Sequence, residues 1–285
     1  MSSGRAGAGL KNYLEKDAEF LAGLFHMAGS FGIARPRVAV CYPAWSGGNE
    51  RRARAMAVRQ AGASATALVP EPLAAAIGSG LDVSLPYAQM IVDIGDGRTD
   101  ISVIREGSIV FSRSALTAGS QIRDSVQKMV LENCGVEISR DASELLIHEL
   151  GAVQGSPQGS LTVAGRKHDG RHGYVTVSAG EVCAAIKPVA VFIVDHVLAA
   201  VREMPAKEGV EVVETGICLS GGVANLNGLS ELISERTYLP VTAPAEPELS
   251  VIKGAGRMLT TVRQIGLWEC EGGYPAGTQM APKHG

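Results

Sequence analysis

The sequence is short of the groups that most quickly mark a protein's class. Its five cysteines, Cys41, Cys134, Cys183, Cys218 and Cys270, are odd in number, widely spaced and never in a C-x-x-C pair. That excludes a disulfide framework and a zinc knuckle, and it fits reduced thiols in a cytosol. Positive charge is not in excess: 26 Lys and Arg stand against 29 Asp and Glu, a formal net charge of -3. A nucleic-acid partner is therefore not expected, since a phosphate backbone rewards clustered cations. The one basic cluster, Arg166, Lys167, His168, Arg171 and His172, sits among glycines and reads as a solvated loop tip. The longest apolar run, Val189 to Val194, stops at Asp195 and His196, far short of a membrane span. The opening "MSSGRAGAGLKNYLEKD" carries no apolar core with a cleavage site, so the expectation is a cytoplasmic chain without a secretory signal.

Several chemical signatures are missing as well. No G-x-x-x-x-G-K phosphate loop and no G-x-S-x-G nucleophile turn occurs. His148-Glu149 begins like a zinc-binding H-E-x-x-H, but Ala152 stands where the second ligand is needed.

What is present is an ordinary folded composition, 46% apolar and 19% charged, in a 285-residue chain long enough for one large domain or two modest ones. Leu14, Ala18, Leu21 and Phe25 recur at helical spacing over residues 11 to 27. "RVAVCYP" reads as a strand, "NERRARAMAVRQAG" as a helix closed by Gly62, and Glu71-Pro72 as the start of a helix after a strand through Val69. Two further helices are expected over "SQIRDSVQKMVLENCG" and "RDASELLIHELG", then loop or weak hairpin from 152 to 173. Ser178 with Glu181 forms a capping box for a long helix through Val201. "TGICLSGGVANLNGLSELI" reads as strand, glycine turn and helix in direct succession, a place where helix-start N–H groups meet an anion. "YLPVTAP" offers a short strand and "SVIKGAGRMLTTV" a last helix before a polar tail.

The stretch most informative about function is "MIVDIGDGRTDISVIREGSIV", residues 90 to 110. Met90 to Ile94 is a continuous apolar strand, and the residues from Thr99 alternate as a second strand. The glycine loop thus joins strand to strand, whereas a dinucleotide fingerprint runs from strand into helix. Asp93, at the end of a buried strand next to Gly95 and Gly97, has two readings. It orients a magnesium-bound water beside phosphates, or it caps a hairpin whose glycines supply positive φ angles.

The order of five segments bears on that choice. "LVPEPLAAAIGSGL", "MIVDIGDGRTDISVI", "SELLIHELG", "CLSGGVANLNGLSELI" and "ELSVIKGAGRML" together resemble the nucleotide motifs of bacterial actin-like proteins of the MreB type, over about residues 11 to 262. DnaK-type chaperone ATPases share that fold. The resemblance implies an α/β, actin-like (ribonuclease H-like) ATPase fold of two lobes, with ATP and Mg2+ as cofactors. It implies that Glu71 positions the attacking water. Asp93 would lie near the metal, through water, with Gly95, Asp96, Gly97, Arg98 and Thr99 in the second phosphate loop. Gly119 falls in a G-G-D turn, Glu144 and Ile147 in the turn that cups adenosine, and Ser220, Gly221, Gly222, Val223 and Ala224 in a T-G-G-G-A segment. Phe31 and Ile33 occupy the place of an apolar loop that touches the inner membrane, the alternative being that both pack under the helix.

The chain departs from this pattern in identifiable places. No D-x-G-T hairpin precedes "RVAVCYP", so the first lobe is expected to be incomplete. Asp96 stands for a glycine, Arg98 for a threonine, Ser120 for an aspartate, Ile147 for a lysine and Val223 for a glycine. A carboxylate about 4 Å from a phosphate costs on the order of 1 to 4 kcal/mol, and Arg98 is the cation expected to offset it by pairing with Asp96 or the nucleotide. The expected organisation is a reduced first lobe over 1–87 to which the helix near 250–263 returns, a second lobe over 88–249 with an outer subdomain at about 119–177, and a disordered tail over 264–285. The implied function is ATP-dependent filament formation in cell-shape control, by self-association. The alternatives are a non-hydrolysing partner of intact MreB-type filaments, or a DnaK-type chaperone ATPase, which would need a long peptide-binding domain after residue 263.

Overall fold

The computed structural model describes residues 21–25, 36–155, 157–265 and 269–270. Phe31 and Ile33 lie outside the described residues. The chain divides into two compact units, Met1–Glu71 with Ala255–Gly285, and Pro72–Gly254.

In the first unit, strand β1 (Arg37–Tyr42) pairs in parallel with β2 (Ala65–Pro70), in register from Arg37 opposite Ala65 to Tyr42 opposite Pro70. Helix α1 (Gly48–Gln60) makes the crossover that a parallel pair requires. Its alanines supply the packing face, with Ala53, Ala55, Ala57 and Val58 buried, while Arg51, Arg54 and Arg59 are half-buried and Arg52 is exposed.

The second unit is built on a five-stranded sheet. Helix α2 (Glu71–Gly78) straddles the division and leads into β3 (Gln89–Ile94), β4 (Thr99–Arg105) and β5 (Ser108–Ala115), an antiparallel meander. Then follow α3 (Gly119–Cys134), β6 (Val136–Ile138), α4 (Arg140–Leu150), and the hairpin of β7 (Ser160–Lys167) and β8 (His172–Ser178). Helices α5 (Ala179–Glu203) and α6 (Ala206–Thr215) precede β9 (Ile217–Ser220), α7 (Leu229–Thr237), β10 (Val241–Thr242) and α8 (Ser250–Ile265), the last of which belongs to this unit only as far as Gly254. The sheet order is β10-β9-β3-β4-β5, so β3 lies at the centre, parallel to β9 and antiparallel to β4. Its central position is why "MIV" is a run rather than an alternation: both faces are covered.

Met90, Val92 and Ile94 join Ile101, Val103 and Leu219 in the larger core under α3 and α5, while Ile91 meets Ala75, Ala76, Ile104 and Cys218 on the other side. Helix α3 turns Ile122, Val126 and Val130 inward at four-residue spacing and ends at Gly135, whose φ of 65° provides a left-handed cap. Helix α5 is long and apolar enough by composition to span a membrane, but Val182, Ile186, Ala190, Ile193, Val194 and Val197 bury one whole face in this core. The capping box is present, with Ser178 N–H donating to Glu181 Oε2 at 2.9 Å and Glu181 N–H to Ser178 Oγ at 3.3 Å. Pro188 lies well inside the helix on its exposed side, where water can take up the hydrogen bond it forfeits.

Three segments differ from expectation. The stretch read as loop or weak hairpin is a full β7–β8 hairpin in a three-stranded sheet with β6, and the basic cluster forms its exposed tip. The glycine turn after β9 does not enter a helix directly: residues Gly222–Asn225 form a single 3-10 turn, and α7 starts only after Gly228 at φ 80°. Within the stretch expected as disordered tail, Glu269–Cys270 forms a short strand, β11, antiparallel to β2.

Helices α2 and α8 approach backbone to backbone. A Cβ on Gly254 would stand 1.8 Å from the Ala74 carbonyl oxygen, and one on Gly78 would stand 1.7 Å from that of Ser250. Gly254→Ala is expected to lower the unfolding free energy by roughly 1–3 kcal/mol through overpacking. An unchanged urea midpoint would mean that the two helices do not make this contact.

Candidate nucleotide site

A cavity of about 750 Å³ opens in the second unit where four segments meet: the β3–β4 loop, the start of α3, the face of α4 that carries Arg140, Glu144 and Ile147, and the turn after β9. Backbone bonds place the segments. Gly119 N–H donates to the Gly95 carbonyl at 3.0 Å and Ser120 N–H to that of Asp96 at 2.6 Å, so the glycine loop seats on the first turn of α3. Thr99 Oγ1 donates to the Thr117 carbonyl at 2.7 Å and ties the far end of the loop to the same entry. Gly221 has a φ of 84°, and a Cβ there would lie 2.3 Å from the Ile94 carbonyl oxygen and 2.7 Å from Asp93 Oδ1. At Gly119 a Cβ would meet the Gly95 oxygen and Val223 Cγ2, each at 3.1 Å. Close approach, not loop flexibility, sets these two glycines. Gly95 and Gly97 themselves are absent from the positive-φ residues, which removes the reading that they serve a left-handed turn.

A polar row crosses the sheet at the end of β3. Ser220, Asp93, Asp100 and Ser114 are register partners on β9, β3, β4 and β5 and so share one face. Ser220 Oγ donates to Asp93 Oδ1 at 2.9 Å, and Ser114 Oγ donates to Asp100 Oδ1. Burial pushes the Asp93 carboxyl above its ordinary range; the Ser220 bond pulls it down, and the neighbouring Asp100 charge pushes it further up. Burial also raises Asp100, against the Ser114 hydrogen bond and the Arg98 charge.

Asp96 behaves oppositely. Arg123 Nη1 reaches its Oδ1 at 2.5 Å and Arg140 Nη2 its Oδ2 at 3.2 Å. Glu144 Oε1 joins both cations, at 3.3 Å from Arg123 Nη1 and 2.9 Å from Arg140 Nε. The hydrogen bond from Arg123 holds the Asp96 carboxyl below its ordinary value despite some burial, with help from the Arg140 charge. Arg123 and Arg140 are thus cations that hold Asp96, and Arg98 lies close enough to Asp100 to act on it.

Of the residues singled out in the sequence, Gly95, Asp96, Gly119, Glu144, Ile147, Gly222 and Val223 line the cavity. Asp93, Thr99, Ser220, Gly221 and Ala224 form its support, Thr99 and Ser220 being fully buried and Gly97 exposed. Glu71 is the last residue of the first unit, where burial and the Glu71 charge together push the Cys41 thiol up to about 11. The N–H of Gly221 is taken by the Pro247 carbonyl at 2.9 Å, while the next two residues of the turn, Gly222 and Val223, line the cavity. Sequence reading did not assign Ile122, Arg123, Arg140, His148, Gly151, Asn225, Leu226 and Asn227 to the site. Only a spacing signal was available: Arg123 follows Ile122 on the inward face of α3, and Arg140 and Glu144 are four apart.

Comparison with known proteins gives consistent matches. A family model described as MreB/Mbl protein matches residues 14–266. The cell shape-determining protein MreB of Escherichia coli strain K12 is 34% identical over 239 residues, which is 83% of this chain and 69% of that protein. Among solved structures, MreB5 of Spiroplasma citri bound to ADP superposes with a TM-score of 0.82 at 23% identity, over 88% of this chain and 77% of that one. A MamK double helical filament superposes at 0.70 with 19% identity, over 87% and 75%. These superpositions establish the actin-like fold.

The raised Asp93 predicts a pH signature. Its folded pKa lies above its unfolded one, so the stability it contributes is full below the ordinary value of 3.8 and is lost as pH rises through the folded value. Asp93→Asn keeps an acceptor for Ser220 and removes the buried charge. It is expected to stabilise the protein at pH 7 by on the order of 1 kcal/mol, with the gain fading toward acid. Thermal melts from pH 4 to 8 check this; a loss of stability, or a gain independent of pH, would contradict it.

Proposed function

The chain belongs to the MreB/Mbl family, and on that premise we propose that it is an ATP-binding, filament-forming cytoskeletal protein of cell-shape control. The observation that carries this reading is that three of the five segments resembling the family's nucleotide motifs, those holding Gly95, Glu144 and Gly222, converge on one cavity. Its residues fit such a ligand. Ile122, Ile147, Val223 and Leu226 give apolar walls for a flat base, and Arg123 and Arg140 put cations beside the glycine loop. A volume of about 750 Å³ falls within the usual range for small-ligand pockets.

In this reading Glu144 and Ile147 hold the adenosine side, with Gly222, Val223 and Ala224 opposite. Gly95, Asp96, Gly97, Arg98, Thr99 and Gly119 surround the phosphates, and Ser220 and Gly221 fix the end of β3. Asp93 fits magnesium only through water: it is largely buried and already accepts from Ser220, and among the described residues no three His, Cys, Asp or Glu side chains converge as metal ligands. Bound ATP supplies a cleavable phosphate whose presence or loss sets the assembly state. Glu71 holds the attacking water. The name of the E. coli relative, cell shape-determining protein, supports the biological role, and the MamK filament supports self-association on this fold. The cytoplasm is the proposed location, with the segment of Phe31 and Ile33 as the place where an inner-membrane contact would form.

A second reading, a non-hydrolysing partner of intact filaments, is favoured by one observation: a carboxylate, Asp96, stands in the phosphate loop. Calorimetric titration with Mg-ATP and sedimentation with and without it separate the two. Binding with ATP-dependent pelleting, and phosphate release slowed about 10²-fold or more in Glu71→Ala with binding retained, is the expected result. Binding without turnover or pelleting would leave the partner reading, and unchanged turnover in Glu71→Ala would remove that residue's role.

A further inference from the structure

The arrangement of charge at the cavity mouth goes beyond the family reading and rests on it only for the identity of the ligand. Asp96, Arg123, Glu144 and Arg140 form a closed ring of four ion pairs. The ring is formally neutral. Its members are unequal: the Arg123 side chain is only 11% exposed, while Asp96 is 51% exposed and sits on a loop tip. Arg123 is held from below by α3 and by Glu144, and Arg140 is held by Glu144 through its Nε. Asp96 is the one member carried on a loop, the other three being fixed on helices α3 and α4, so a movement of the loop alone can withdraw it while Glu144 keeps Arg123 and Arg140 tied together. Its departure would leave two guanidinium groups against one carboxylate, facing a cavity of about 750 Å³ that all four residues line.

We propose that Arg123 and Arg140 are an anion-binding pair for the phosphate groups of a ligand in this cavity, and that Asp96 is a built-in competitor that occupies the pair until the ligand displaces it. A carboxylate presents two oxygens to the two guanidinium groups much as a phosphate would. The cavity therefore tests an entering ligand for negative charge. A neutral nucleoside gains nothing from the arginines, whereas a phosphorylated one trades one anion for another of higher charge. Glu144 is the positioning residue, keeping both cations in place during the exchange.

The test is titration calorimetry on the full chain with three probes, adenosine, ADP and inorganic pyrophosphate, against wild type, Asp96→Asn and Asp96→Asn with Arg123→Gln. Removing the competitor is expected to tighten ADP and pyrophosphate by about tenfold or more while adenosine stays within about twofold, and Arg123→Gln is expected to cancel the gain. Asparagine keeps the size of the side chain, and thermal melts of each variant verify folding. Equal ADP and pyrophosphate binding by wild type and Asp96→Asn would overturn the proposal while leaving the nucleotide reading intact, provided adenosine binds. A pyrophosphate gain in Asp96→Asn with no adenosine binding in any variant would uphold the anion pair and sink the nucleotide reading. Failure of all three probes with every variant would end both.

Discussion

Gly221 meets the last carbonyl of β3 at a separation that leaves no space for a side chain, a Cβ there falling 2.3 Å from the Ile94 oxygen. That contact sets where β9 ends against β3, and much else follows from it. It aligns Ser220 with Asp93 and delivers Gly222 and Val223 to one side of the cavity. On the other side, the seat of the β3–β4 loop on Gly119 and Ser120 fixes the start of α3 and the direction of Arg123. Between these two backbone contacts the site is assembled from a sheet whose central strand is buried on both faces, so small errors there have nowhere to relax.

The electrostatics divide into two sets with opposite behaviour. The row across the sheet places two carboxylates side by side in partial burial, satisfied by serine hydroxyls but by few cations, and the fold disfavours their charge. The ring at the cavity mouth does the reverse, enclosing Asp96 between two arginines so that its charge is favoured. Three of the ring's four members are about half exposed or more, where a single ion pair typically contributes ~1 kcal/mol or less. Its effect falls on ligand charge instead. The loop substitution that looked most damaging to a phosphate site is compensated by two cations that come from other elements, at residues 123 and 140.

What the sequence disclosed followed from periodicity and from turn chemistry. The β3–β4 loop, the capping box of Ser178 and Glu181, the amphipathic α3 and the sheet-forming segments were legible because local pattern and tertiary burial agree there. Helix α6 was not. It buries Val212 alone and is tied to the ends of the inner strands β3 and β4 by Arg105 with Glu208 and Glu211, and by Glu211 accepting from Ala88 N–H, partners more than a hundred residues away. The strand β6 was hidden by its three-residue length, and the β7–β8 hairpin by its glycines and polar outer face. Within the site, the residues on the glycine loop and in the post-β9 turn were readable from order and spacing. Arg123 and Arg140 were not, because an arginine on a helix looks the same whether it points to water or closes a ring with a loop that lies 27 or 44 residues back.

The cavity formed by four segments of the second unit is the proposed place of nucleotide binding. Hydrogen–deuterium exchange of the full chain with and without Mg-ATP tests it most directly, since it reads backbone protection segment by segment. Slowed exchange is expected chiefly in residues 93–99, 119–123, 140–151 and 221–227, the four segments that meet at the cavity. Protection absent from all four, or concentrated elsewhere in the chain, would contradict it.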